Sequence, residues 1–111
     1  GLCTVWVDDI PILSCSYIAM RAEGKNITTL EGLKKEALEF GSFLATEGGD
    51  QCGFCSPGLI MNVISLKRKF KNPTEEMIQN YLMGNLCRCT GYSAQLRAIK
   101  KYCETNDHDK F

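Results

Sequence analysis

Two closely spaced cysteine pairs restrict what this chain can fold into more than any other feature of its sequence. Cys52 and Cys55 are separated by two residues in the segment QCGFCSPG, whereas Cys87 and Cys89 are separated by one residue in NLCRCTGY. A further 31 residues lie between the two pairs. Four thiolates held close together repel one another and would stay protonated unless a cation bound them. If the fold brings the pairs together, the pattern predicts a metal centre.

The totals for the chain fit a small globular protein and exclude several classes of partner. Its 111 residues are enough for one domain, with or without part of a second. The 13 basic residues balance the 13 acidic ones, so the net charge predicts no nucleic-acid partner. No apolar run approaches the ~20 residues of a membrane span, and no signal peptide is apparent. Because the cysteines number seven and nothing marks export, we predict a cytoplasmic protein whose thiols serve metal or redox chemistry.

The first 30 residues predict short β-strands. Apolar and polar residues alternate over residues 5–13, and Asp8 and Asp9 stand where a tight turn would lie. A further short extended piece is predicted at Ile27. Two short strands are too few to be stable by themselves. The opening GLCTV is typical of a segment entered midway, so we expect that residues precede Gly1 in the complete protein.

The remainder of the chain predicts four helices, because apolar residues recur there at helical spacing. Ser56 is predicted to cap the second helix and Asn72 to open the third. Each cysteine pair then falls in a loop between two helices, and two helical hairpins that face each other would bring the four thiols together. The predicted helices span residues 34–46, 56–70, 72–84 and 93–103.

Two kinds of metal centre are open to four cysteines. Structural zinc generally takes two chelating pairs with two or more residues between the ligands, and the single residue between Cys87 and Cys89 fits that poorly. A [2Fe-2S] cluster is broader, so the wider pair and the tighter pair can each hold one of its ends. The spacing favours iron–sulfur. A thiol–disulfide exchange site at Cys52 and Cys55 is a third alternative, which the absence of a preceding strand disfavours.

QCGFCSPG, NLCRCTGY and the leading GLCTVWVD together resemble the iron–sulfur subunit of the molybdenum hydroxylases, the family of xanthine dehydrogenase, aldehyde oxidoreductase and carbon monoxide dehydrogenase. The likeness runs from Gly1 to about Cys103. It implies a mainly α fold in which a four-helix [2Fe-2S]-binding bundle, residues 31–103, follows the remnant of a plant-ferredoxin-like (β-grasp) domain, residues 1–30. Residues 104–111 would form a polar tail.

The resemblance also implies roles for individual residues. Cys52, Cys55, Cys87 and Cys89 would ligate the [2Fe-2S] cluster of the bundle. Gln51 and Cys89 would lie against the pterin of a molybdenum cofactor on a partner subunit.

The N-terminal segment departs from the family pattern. A ferredoxin-type site has four cysteines, of which Cys3 and Cys15 match only the third and fourth. Two thiolates cannot hold that cluster alone. We therefore expect this second site to be incomplete in the chain, unless another segment of polypeptide supplies the missing ligands.

The implied function is electron transfer. A large molybdopterin-binding subunit would transform the substrate, and this chain, which has no catalytic residues of its own, would relay electrons toward an FAD-binding subunit or another acceptor. The segment AEGKNITTLEGL favours the xanthine dehydrogenase branch of the family. The alternative is a zinc-stapled structural or interaction domain that uses the same four cysteines.

Overall fold

The computed structural model describes residues 1–105; of the predicted tail at 104–111, residues 106–111 lie outside the described part. Over residues 1–105 the fold is mainly helical, with four α-helices and one small sheet. Three short 3-10 helices, at Ser14–Ser16, Ala19–Ala22 and Leu30–Leu33, connect the sheet to the first α-helix.

The sheet has three antiparallel strands in the order β2-β1-β3. Strand β1 spans Thr4–Val7, β2 spans Ile10–Leu13 and β3 spans Ile27–Thr28. Asp8 and Asp9 both have positive φ angles, 50° and 67°, which is the backbone of a two-residue hairpin turn that suits the twist of the strands. The predicted hairpin and the extended piece at Ile27 are confirmed.

The helices follow in chain order and confirm the predicted number. Helix α1 spans Lys34–Thr46, as predicted, and α2 spans Ser56–Lys69. Helix α3 covers only Glu75–Tyr81, and α4 spans Ser93–Glu104.

Two predicted helix starts were wrong. Asn72 does not open α3; Thr74 caps it instead, since its hydroxyl accepts a hydrogen bond from the Met77 N–H at 3.2 Å. Ser56 is the first residue inside α2 rather than its cap, and its hydroxyl donates to the Asp50 carboxylate at 3.1 Å. Caps depend on where a side chain finds a partner, so short polar residues next to one another are hard to tell apart from sequence.

The main core lies among the four helices. Helices α1 and α4 pack together, and α2 contacts both α1 and α3. The Phe40 ring of α1 meets the Tyr102 ring of α4 with centroids 5.1 Å apart. The buried members of this core are Phe40, Leu44, Leu59, Val63, Leu66, Ile78, Ala98, Ile99, Tyr102 and Cys103.

A second, smaller core joins the sheet to α2. Trp6 of β1 is buried with Leu33, Met61 and Ile64. The Trp6 indole N–H donates to the Met61 carbonyl at 3.0 Å, which satisfies the one polar atom of a fully buried ring. The sheet is therefore fastened to the helix whose first turn follows Cys55.

Candidate metal centre

Each cysteine pair lies in a loop at the same end of the helical core. Cys52 and Cys55 lie between α1 and α2, and Cys87 and Cys89 lie between α3 and α4. Gly53 of the first loop has a φ of +83°, a left-handed conformation that glycine adopts without strain. The prediction that both pairs occupy loops between helices is confirmed.

The four cysteines line a single cavity of about 420 Å³, which we call the cysteine cavity. Cys55 and Cys87 are partly buried, whereas Cys52 and Cys89 are exposed at its outer side. The remaining lining residues are Phe54, Leu86, Arg88 and Tyr92. Two segments that are far apart in sequence thus meet at one site, as the sequence predicted.

Within the cavity the thiols interact in pairs that cross between the two loops. The Cys55 thiol neighbours that of Cys87, and the Cys52 thiol neighbours that of Cys89, closely enough for the neighbour to shift a pKa in each pair. The spacing had led us to expect that each sequence pair would hold one end of a cluster. The contacts instead bring together one thiol from each loop, because the loops approach side by side.

The inner pair, Cys55 and Cys87, is arranged so that one thiol gives up its proton more readily than the other. The Thr90 hydroxyl donates to Cys87 Sγ at 3.2 Å and lowers the pKa of that thiol to about 7, with help from neighbouring backbone N–H groups. Burial raises the pKa of Cys55, and its hydrogen bond to Cys87 raises it further. Gln95 Nε2 opposes this by donating to Cys55 Sγ at 3.4 Å. The inner pair thus has two side-chain donors directed at sulfur.

The outer pair consists of Cys52 and Cys89. Apart from the contact between these two thiols, the hydrogen bonds seen in residues 1–105 give this pair backbone donors and no side-chain donor. The Phe54 N–H donates to Cys52 Sγ at 3.5 Å. The hydrogen bond that the Cys89 thiol makes to Cys52 raises the pKa of Cys89. The charge of a neighbouring thiolate is among the causes that raise the pKa of Cys55 and of Cys89, and a bound cation would relieve that repulsion.

Sulfur pairs of this kind suit a cofactor with two metal atoms. Each iron of a [2Fe-2S] cluster takes two thiolates, and two pairs of thiols lining one cavity can supply them. The donor set fits that cluster.

The two N-terminal cysteines also meet. Cys15 lies next to Cys3, and its backbone N–H and its thiol lower the pKa of Cys3. The Ser14 hydroxyl fixes the neighbouring backbone by donating to the Cys3 carbonyl at 2.7 Å. The structure thus brings together the two residues that the sequence matched to a second cluster site.

The other candidate residues occupy different settings. Gln51 is exposed and directly precedes Cys52, which lines the cysteine cavity. Cys103 is buried in the main core, and burial raises the pKa of its thiol to about 11. Cys103 is therefore a core residue whose burial disfavours the reactive thiolate form.

Three residues that support the cysteines were not predicted from the sequence. Gln95 and Thr90 donate to sulfur, and the Tyr92 hydroxyl accepts a hydrogen bond from the Cys87 N–H at 3.0 Å. A signal for Gln95 was present, since it is a polar residue on the stripe of α4 that also carries Ile99 and Tyr102. No sequence pattern marked Thr90 or Tyr92 as partners of Cys87.

Comparison with known proteins agrees with this geometry. Residues 29–100 match the [2Fe-2S] binding domain family. The xanthine dehydrogenase iron-sulfur-binding subunit of Escherichia coli O157:H7 is 49% identical over 103 residues, which are 89% of this chain and 65% of that protein. A probable xanthine dehydrogenase subunit of Bacillus subtilis (strain 168) is 43% identical over 100 residues, 88% of this chain and 57% of that protein. The chain thus spans only about three-fifths of the length of these relatives.

The fold is also found among solved structures. The aldehyde oxidoreductase from Desulfovibrio desulfuricans superposes with a TM-score of 0.82 and 32% identity, over 93% of this chain and 12% of that one. Within residues 1–105, no helix combines the length and the hydrophobicity needed to cross a membrane.

Proposed function

Because this chain belongs to the [2Fe-2S] iron–sulfur subunits of the molybdenum hydroxylase family, we propose that it relays electrons within a larger oxidoreductase and transforms no substrate itself. The observation that carries the proposal is the convergence of four thiols, from two loops, on one cavity. When bound, a [2Fe-2S] cluster supplies one-electron transfer. This chain's part is to hold the cluster, to set its surroundings and to present it to partners.

We assign Cys52, Cys55, Cys87 and Cys89 as the cluster ligands, with one thiol of each loop on each iron. Support comes from the crosswise contacts between Cys55 and Cys87 and between Cys52 and Cys89. In this assignment the inner iron is bound by the partly buried pair and the outer iron by the exposed pair.

The rim of the cysteine cavity is the proposed docking face for a large molybdopterin-binding subunit. Phe54 and Leu86 are 69% and 74% exposed, and two large apolar side chains exposed together at one site are typical of a surface that a partner covers. Arg88 adds a positive charge beside them. Gln51 and Cys89 are the residues that we propose to face the pterin, and an FAD-binding subunit would take up the electrons of a xanthine dehydrogenase-like enzyme.

We further propose that Cys3 and Cys15 are two of the four ligands of a second [2Fe-2S] site. Their contact supports this, and other polypeptide would have to supply the remaining ligands. Residues 1–30 would then belong to a ferredoxin-like domain and residues 31–103 to a four-helix bundle, a division consistent with the family match at 29–100. We place the protein in the cytoplasm, where thiols stay reduced.

Spectroscopy and metal analysis test the ligand assignment. The purified protein, with the subunits that accompany it, is expected to contain iron and acid-labile sulfide and to show the visible absorption of a [2Fe-2S] cluster. Cys55→Ala is expected to lose the iron of this site, whereas Cys103→Ala, which removes a thiol from the core, is expected to retain it. Stoichiometric zinc without iron would instead support the structural alternative.

Substitution of the rim tests the docking face. Phe54→Asp is expected to weaken co-purification of the large subunit without loss of iron. Leu38→Asp is the matched control, because Leu38 is also 69% exposed but does not line the cavity. Equal retention of the large subunit by both variants would show that the docking face lies elsewhere.

A further inference from the structure

One hydrogen bond to the cysteine cavity comes from the helical core and not from the loops. Gln95, in the first turn of α4, is 3% exposed, and its Nε2 donates to Cys55 Sγ at 3.4 Å across 40 positions of sequence. By contrast, the Thr90 and Phe54 donors lie within three residues of the sulfur atoms that they contact.

The position of Gln95 is fixed by its neighbours. Gly49 lies directly against it, so that a Cβ placed on Gly49 would come within 3.4 Å of Gln95 Cγ and 3.3 Å of its backbone nitrogen. The same added atom would be 2.7 Å from a methyl of Leu44. The bare backbone of Gly49 therefore lets the first cysteine loop approach α4 and confines the stem of Gln95.

A donor in this position acts differently on the two redox states of a cluster. A hydrogen bond to sulfur stabilises the more negative, reduced state more than the oxidised state and so raises the reduction potential. The effect is largest for a donor that is buried, because water cannot replace it. Gln95 meets this condition, and as a neutral amide it adds no charge of its own.

We propose that Gln95 is a positioning residue that acts through Cys55 to raise the reduction potential of the cluster held by the four cavity cysteines. The inference rests on the proposed function, because it requires that cluster. It places the control of potential in the helical core, apart from the loops that carry the ligands.

Redox potentiometry followed by EPR tests the proposal on the purified protein with its accompanying subunits. In each measurement the oxidised cluster takes up one electron supplied by dithionite, and no covalent bond of the protein changes. Gln95→Leu removes the donor and preserves most of the side-chain volume. We expect about a tenfold lower equilibrium constant for reduction, which is a downward shift of about 59 mV for one electron.

Gln79→Leu is the matched control. This variant makes the same substitution at an exposed glutamine of α3, for which no hydrogen bond to sulfur is seen within residues 1–105. The reduction potential of the cluster in this variant is therefore expected to equal that of the wild type. Gln95→Glu places a carboxylate beside Cys55 and is expected to lower the potential further. The EPR signal of this site is identified as the one that Cys55→Ala abolishes.

The outcomes separate a failure of this proposal from a failure of the proposed function. A wild-type protein that lacks any signal removed by Cys55→Ala would refute the proposed function. A wild type that has the signal, with an unchanged potential in Gln95→Leu, would overturn the role of Gln95 alone. If Gln95→Leu loses iron, Gln95→Met also removes the donor and gives the same comparison; loss of iron from both would overturn the proposal, since Gln95 would then be needed to retain the cluster.

Discussion

Replacing Gly58 by alanine tests how the N-terminal segment is joined to the cysteine cavity. Gly58 lies in the first turn of α2, three residues after Cys55, and is buried. A Cβ at this position would lie 2.3 Å from the Gly1 carbonyl oxygen and 2.7 Å from Asn85 Oδ1. The Gly1 carbonyl is held in place because it accepts hydrogen bonds from the Thr4 N–H at 3.0 Å and the Thr4 hydroxyl at 2.6 Å. Alanine at position 58 must therefore displace backbone.

The expected cost follows from two opposing effects. Overpacking a well-packed site costs about 1–3 kcal/mol. Alanine regains up to about 1 kcal/mol of helix propensity over glycine. With the full gain in helix propensity, the net loss of unfolding free energy is thus about 0–2 kcal/mol, whereas Gly58→Ala remains about 1–3 kcal/mol below an alanine variant without the clash. Each kcal/mol lowers the melting temperature of a small domain by about 4–8 °C.

Thermal denaturation followed by circular dichroism provides the assay, with Gly41→Ala as the control. Gly41 lies inside α1 and has no atom within 4 Å of the added Cβ, so this variant is expected to melt at or above the wild-type temperature. Adding Asn85→Ala to Gly58→Ala is expected to restore little, because the nearer clash is with the backbone of Gly1. Equal melting temperatures for the two glycine variants would refute the reasoning.

Three further predictions concern the contacts that hold the elements together. The hydrogen bond from Lys101 holds the pKa of Glu47 below its usual value, and the hydrogen bond from Arg97 is the second largest cause. The stabilisation that the Glu47 carboxylate gives to the folded state is therefore present at neutral pH and is lost as pH falls through that lowered pKa. Urea midpoints for Glu47→Gln are therefore expected to lie below wild type at pH 7 and to equal it in acid; a constant gap would contradict the assignment. Trp6→Phe removes the indole donor to α2 and is expected to cost about 1–3 kcal/mol in denaturant unfolding, whereas an unchanged midpoint would show that this bond is dispensable. Iodoacetamide is expected to label Cys103 only after unfolding, because burial raises its pKa to about 11, and mass spectrometry of the native protein detects any earlier reaction.

The fold could be predicted from sequence where local spacing decides it. The bounds of α1, 34–46, followed from the recurrence of apolar residues and the glycines after it. The turn at Asp8 and Asp9 followed from the alternation on either side. The third helix was predicted too long, because its start depends on the Thr74 hydroxyl reaching one N–H group and not on the pattern of apolar residues.

For the candidate site, the sequence predicted which thiols converge but not how they are arranged. The spacing of the cysteines and the helical pattern between them placed four thiols at one end of the helices, and the structure brings them to one cavity. The pairing of Cys55 with Cys87 depends on how the two loops pack side by side. Sequence spacing contains no information on that relative placement.

The sequence by itself determined that four thiols are carried in two loops between helices, because residue type and local periodicity are properties of short segments. Tertiary structure alone decided which thiols meet and that Gln95 reaches Cys55 from α4. It also decided that Gly58 must lack a side chain beneath Gly1. These contacts join residues that are distant in sequence, and close packing of the core, not any local preference, sets the distances between them.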